Sequence, residues 1–92
     1  MDQPLRATEA KALARRLLSE GSVLVSTHCQ ERMVERNIAL VDIANTIRGG
    51  VFSEGEWMNE SWRYTASTSR YEAVVSFDGD ILIILVTAWR KS

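Results

Sequence analysis

Apolar residues recur at two different spacings along the chain, and the change falls near its middle. Ala10, Leu13, Ala14, Leu17 and Leu18 follow the i, i+3, i+4, i+7, i+8 pattern of one helix face. They predict a helix over 4–20. Pro4 suits its first turn and Gly21 its end. Lys11, Arg15 and Arg16 fall mostly off the apolar face and read as its solvated side. Residues 23–26 read as a short extended connection. Thr27, with Gln30 three residues on, predicts a capping box. A second helix is then expected from His28 to about Arg36, closed by Asn37, which tolerates the left-handed conformation. Leu40, Ile43, Ala44 and Ile47 predict a third helix to Arg48, stopped by Gly49 and Gly50. The last two helices, tightly joined, read as a helical hairpin.

Beyond Gly50 the period falls to two. Trp62, Tyr64 and Ala66 alternate with Arg63 and Thr65, as in a half-buried strand. Residues 67–69 form a turn. Tyr71, Ala73, Val75 and Phe77 then alternate with Arg70, Glu72, Val74 and Ser76. Asp78-Gly79 predicts a two-residue type I′ hairpin, leading into a last strand over 80–89. The unbroken apolar run 81–86 places that strand centrally, covered on both faces. Residues 51–60, with Glu54, Glu56 and Glu60, read as a strand or an irregular edge. The expected hairpin sets Phe77 opposite Asp80, Arg70 opposite Thr87 and Glu72 opposite Leu85. Tyr71, Ala73, Val75, Phe77, Leu82, Ile84, Val86 and Ala88 would then share the face that takes the helices. Arg70, Glu72, Thr87 and Trp89 would share the other. A one-residue slip would exchange the two sets. The expected fold is a single α+β domain over 1–92, with N-terminal helices packed on one face of a small antiparallel sheet.

Composition narrows the class. The chain has 92 residues, enough for one domain with a modest core that buries roughly 60–65% of its unfolded surface. Apolar content of 46% argues against disorder. The net charge is −1, divided as +1 over residues 1–50 and −2 over 51–92. No global basic field draws in nucleic acid, so a nucleic-acid partner would need a local arginine cluster. Cys29 is the one cysteine, which excludes an internal disulfide and fits a reducing compartment. The N-terminus lacks the apolar stretch of a secretion signal. No apolar run reaches the length of about 18 residues that a membrane helix needs. A cytoplasmic protein is the expectation.

One polar constellation carries candidate chemistry. His28, Arg32 and Arg36 are spaced i, i+4, i+8 and span about 80° of arc on the second helix. Histidine moves protons near neutral pH, and arginine holds phosphate with parallel hydrogen bonds. Together they suit binding and cleaving a phosphodiester. The bland alternative is a solvated face: Arg32 with Glu35, and His28 with Glu31, lie at i, i+3 and can satisfy each other. Against it, Arg32 and Arg36 are like charges at i, i+4, unfavourable unless an anion or a carboxylate sits between them. Arg63, between Trp62 and Tyr64, would project from the open sheet face beside Arg70, with Thr87 and Trp89. The two aromatics read more simply as core than as a base-stacking platform. One His beside one Cys makes no zinc site, and Asp78 and Asp80 lack the rest of a calcium loop. No phosphate loop, dinucleotide fingerprint or nucleophile elbow is present. No metal or cofactor is expected.

The stretch Thr27-His28-Cys29-Gln30-Glu31-Arg32-Met33-Val34-Glu35-Arg36-Asn37-Ile38 resembles a small bacterial and plasmid domain family with the signature H-x-x-x-R-M-x-x-R-x-I. The resemblance extends over about 23–90, through Gly50, the arginine-bearing Trp62-Arg63-Tyr64 and the closing Thr87-Ala88-Trp89. Asn37 stands where that family often has Gly, and Ala39 where it often has a capping Ser or Thr. The family looks allied to RelE-like and motility-regulator toxins. That alliance implies a RelE-like helix-then-sheet fold and metal-independent RNA cleavage. It implies His28 as base or acid, Arg32, Arg36 and Arg63 on the phosphate, and Arg70, Thr87 and Trp89 positioning RNA. A cognate antitoxin protein is then the expected partner. The rival expectations are a non-catalytic protein-binding module, antitoxin- or immunity-like, using Glu54, Glu56, Glu60 and Trp57, and a nucleic-acid-binding regulator.

Overall fold

A computed structural model describes residues 4–91. The first helix, α1, spans Ala7–Glu20. Its entry is closed by Glu9, whose carboxylate accepts from the Arg6 N–H at 2.9 Å. Gly21 ends it in the left-handed conformation, φ 76. Residues 23–26 are more than a connection: Val23–Val25 form a strand, β1, parallel to the last strand. The second helix, α2, spans Thr27–Arg36, and its N-cap is Ser26 rather than Thr27. The Ser26 hydroxyl accepts from the Cys29 N–H at 3.0 Å, while Gln30 turns its amide back to the Val25 carbonyl. Asn37 closes α2 in the left-handed region, φ 52. The third helix, α3, spans Leu40–Gly49. Ala39 has no capping side chain, and the Asp42 carboxylate takes over by accepting from its N–H at 3.0 Å.

The strands that follow are β2 (Val51–Phe52), β3 (Glu56–Met58), β4 (Ser61–Ser67), β5 (Tyr71–Asp78) and β6 (Leu82–Arg90). Their order is β1-β6-β5-β4-β2, with β3 also on β4. Segment 51–60 is an irregular edge: β2 and β3 pair with successive stretches of β4, with Ser53–Gly55 between them. Gly55 sits where the Tyr64 ring passes, and a Cβ there would stand 3.0 Å from Tyr64 Cε2. Every pairing except β1·β6 is antiparallel, so the domain is α+β as expected.

The β5–β6 register departs from the expected one. The chain reverses through Gly79, Asp80 and Ile81, with Gly79 at φ 58, and Phe77 faces Ile83 instead of Asp80. The offset of three residues is odd, so it reverses the faces of β6. Ile83 and Leu85 are buried, whereas Leu82 and Ile84 are half-buried on the opposite side. A bulge then adds Val86 between the Val74·Thr87 and Val75·Leu85 pairs and returns Ala88 to the core. Glu72 faces Trp89 rather than Leu85, and Thr87 faces Val74 rather than Arg70.

All three helices lie on the sheet face carrying Tyr64, Ala66, Ala73, Val75, Ile83, Leu85 and Ala88. Ala10, Ala14 and Leu17 of α1, Cys29 of α2, and Ile43 and Ile47 of α3 complete one core. The expected helical hairpin does not form as a packed pair. The main support of α2 is β6, and that of α3 is β5 and α1, because Cys29 and Met33 face the sheet while Val34 is 83% exposed. Among the described residues no helix lies over the opposite sheet face.

Candidate functional site

The first strand stops early, and this decides where α2 sits. It covers only Ile83–Leu85 of β6. Past that point the β6 edge would present bare carbonyls. Residues around α2 satisfy them in turn. Ser26 donates from its N–H to Leu85 O at 3.1 Å and from its hydroxyl to Val86 O at 3.0 Å. Arg36 donates from NH1 to Ala88 O at 2.9 Å. Arg90 answers from the strand, its Nε donating to Arg36 O at 3.2 Å and its NH2 to Asn37 O. The Arg90 guanidinium lies 5.6 Å from the centre of the Tyr71 ring. Neither Ser26 nor Arg90 stands out in the sequence, because Ser26 acts on a strand carbonyl sixty residues away and Arg90 on a helix-end carbonyl fifty-four residues away.

The polar stripe of α2 therefore runs beside the free end of β6. His28 is exposed at its start. Arg32 follows one turn on, roughly 5–6 Å away between Cβ atoms. Its NH1 pairs with Glu35 at 2.5 Å, while its Nε is buried without a hydrogen-bond partner. Arg36 ends the stripe on the Ala88 carbonyl. This arrangement resolves the like-charge spacing from within: Glu35 accompanies Arg32, and a backbone carbonyl accompanies Arg36.

Thr87 and Trp89 lie at the same end of β6, on the open face with Glu72 and Val74. Arg63 projects to that face, opposite in direction to the buried Tyr64, and its Nε bonds to Ser61 Oγ at 3.5 Å. The β4 backbone is two strand spacings from β6, about 10 Å. Among the described residues no hydrogen bond or ion pair joins Arg63 to His28, Arg32 or Arg36. Arg70 parts from the group altogether. It sits in the bend between β4 and β5, beside Asp42, Asn45 and Thr46 of α3. It is thus on the helix side and not opposite Thr87.

Two groups near these elements have shifted ionisation. Burial pushes the Cys29 thiol up from its ordinary 9.0, which leaves the neighbour of His28 a poor nucleophile. Burial, with the Glu54 and Glu9 carboxylates, also raises the Tyr64 phenol. Among the described residues no three His, Cys, Asp or Glu side chains are grouped to hold a metal ion. No described helix is long and apolar enough to cross a membrane.

Residues 25–90 match a protein family described as a domain of unknown function (DUF4258). No curated protein and no solved structure matches the chain.

Proposed function

The chain belongs to the DUF4258 family, and from that premise we propose that it is a metal-independent endoribonuclease of the toxin–antitoxin kind, acting in the cytoplasm. The observation that supports this most is the line His28–Arg32–Arg36 beside the free end of β6, with Thr87 and Trp89 on the adjoining open sheet face. A single-stranded RNA laid over that end meets a proton carrier, guanidinium donors and an aromatic ring.

The reaction needs only the RNA's own 2′-hydroxyl. Its oxygen attacks the neighbouring phosphorus, and the bond from phosphorus to the 5′ oxygen breaks. The products are a 2′,3′-cyclic phosphate and a 5′-hydroxyl end. His28 takes the 2′ proton as base or supplies one to the leaving oxygen as acid. Arg32 stabilises the charge gathering on the phosphate with the terminal guanidinium donors that Glu35 leaves free, its Nε being buried. Arg36 keeps NH1 on Ala88 O and has donors left for a phosphate. Arg63, two strands from β6 and displaced toward the β5–β6 hairpin from the Thr87–Trp89 end, holds a more distant part of the RNA. A cognate antitoxin would restrain the enzyme by covering the open face, where Leu24 is 50% exposed.

The test is incubation of purified protein with end-labelled RNA in EDTA. The expected result is cleavage that leaves 2′,3′-cyclic phosphate ends, slowed about 100-fold or more by His28→Ala. Undiminished cleavage by His28→Ala would overturn the assignment. A protein-binding module without catalysis is the second reading. It is favoured by the internal partners that Arg32 and Arg36 already have. An inert parent that also leaves bacterial growth normal on induction would select it.

A further inference from the structure

At the hairpin end of the sheet, on its helix face, Pro4, Leu5, Trp57, Trp62, Tyr64 and Phe77 line a cleft of about 340 Å³. It lies away from the α2 stripe, which meets β6 at Ala88. Trp57 and Trp62 are cross-strand partners whose rings stand edge to face, 5.4 Å between centres. Tyr64 and Phe77 form a second tilted pair at 5.8 Å. Trp57 is 59% exposed and Met58 50%, an unusual exposure for such residues.

The charge that lines the cleft is negative, while Arg63, between Trp62 and Tyr64, projects to the opposite face. Glu60 is the charged residue of the lining. Segment 51–62 carries Glu54, Glu56 and Glu60 and no lysine or arginine. Glu54 accepts from the Ala7 N–H at 3.2 Å, which holds its carboxylate at the start of α1 near Tyr64. The upward push of Glu54 and Glu9 on the Tyr64 phenol reports the same negative field. Arg6 follows Leu5 but does not line the cleft.

Aromatic faces attract cations, and a guanidinium stacks on them more readily than an ammonium because it is more weakly hydrated. Glu60 supplies the counter-charge, while an RNA phosphate is repelled. We infer that this cleft binds an arginine or lysine side chain presented by a basic segment of a partner protein. A proline-rich segment also docks in aromatic grooves, but it has no use for the carboxylate. The inference does not rest on the ribonuclease reading.

Trp57, Trp62 and Trp89 give three separate indole N–H signals, and Trp89 serves as an internal control outside the cleft. The probe is a capped peptide of alternating glycine and arginine. Matched glycine–proline and glycine–leucine peptides and a short RNA are the comparisons. The arginine peptide is expected to shift the Trp57 and Trp62 signals and leave Trp89 in place. Its binding should weaken as salt rises and fall by about three- to five-fold in Glu60→Gln. Exposed Trp57→Ala should abolish it while far-ultraviolet circular dichroism stays unchanged. The inference is overturned by unchanged affinity in Glu60→Gln, or by equal binding of the proline peptide. Shifts of Trp57 and Trp62 caused by the RNA, or by raising the protein's own concentration, would overturn it too.

Discussion

Among the described residues, Cys29 and Tyr64 are the two side chains whose ionisation the fold opposes. Both are buried, and both are pushed up from their ordinary values. The folded state therefore favours their neutral forms. The associated stability is fully present below the unfolded values and is lost as pH rises through the folded ones. The unfolding midpoint in urea should thus hold steady near neutral pH and decline above the ordinary thiol and phenol values of 9.0 and 10.0. Tyr64→Phe should flatten part of that decline. Its cost at neutral pH should be about 0.5–1.5 kcal/mol, from the lost bond to Leu5 O. An alkaline decline unchanged by the substitution would show that Tyr64 does not contribute to it. His28 and Arg32 are legible in the sequence as a pair of polar residues one turn apart. That Arg32 leaves its Nε unmatched while Arg36 spends a donor on Ala88 O is not, because burial and edge carbonyls come from elements distant in sequence.

Among the elements, α2 depends most on its surroundings. Ser26 and Thr27 are adjacent and chemically alike, so sequence spacing alone favours Thr27 with Gln30. The parallel pairing of β1 with β6 holds Ser26 extended, at φ −64 and ψ 156, and its hydroxyl bridges Cys29 N and Val86 O. Ser26→Ala should lower stability by about 0.5–2 kcal/mol. Thr27→Ala, at an exposed position inside the first turn, should change it by less than about 0.5 kcal/mol. Urea titrations of the two variants check this, and equal losses would contradict the Ser26 cap. Asn37 is the contrasting case. Its left-handed conformation is legible because the preference is intrinsic to the residue. The break between β2 and β3 is not, since Gly55 answers the ring of Tyr64 across the sheet.

At the scale of the whole molecule, the register of β6 decides which side chains meet the helices. Leu85 is 1% exposed in the core, and Ile84 lies on the open face beside Leu24. Leu85→Ala should cost about 2–5 kcal/mol. Ile84→Ala, only half-buried, should cost distinctly less. The expected hairpin of two residues would reverse that ranking, so chemical denaturation of the pair tests the register directly.

The sequence by itself determined three helices, three long antiparallel strands and the α+β class, because hydrophobic period is a local property. It also determined the polar stripe of α2 and the directions of Trp62, Arg63 and Tyr64, since strand alternation needs no partner. Tertiary structure alone decided the β5–β6 offset and its bulge, the strand character of 23–25, the seat of α2 on the β6 edge and the removal of Arg70 to the α3 side. On β6, where 82–86 is apolar without a break, alternation marks neither face. The choice passes to the helix layer, which buries Ile83 and Leu85 and leaves Leu82 and Ile84 half-buried on the open face.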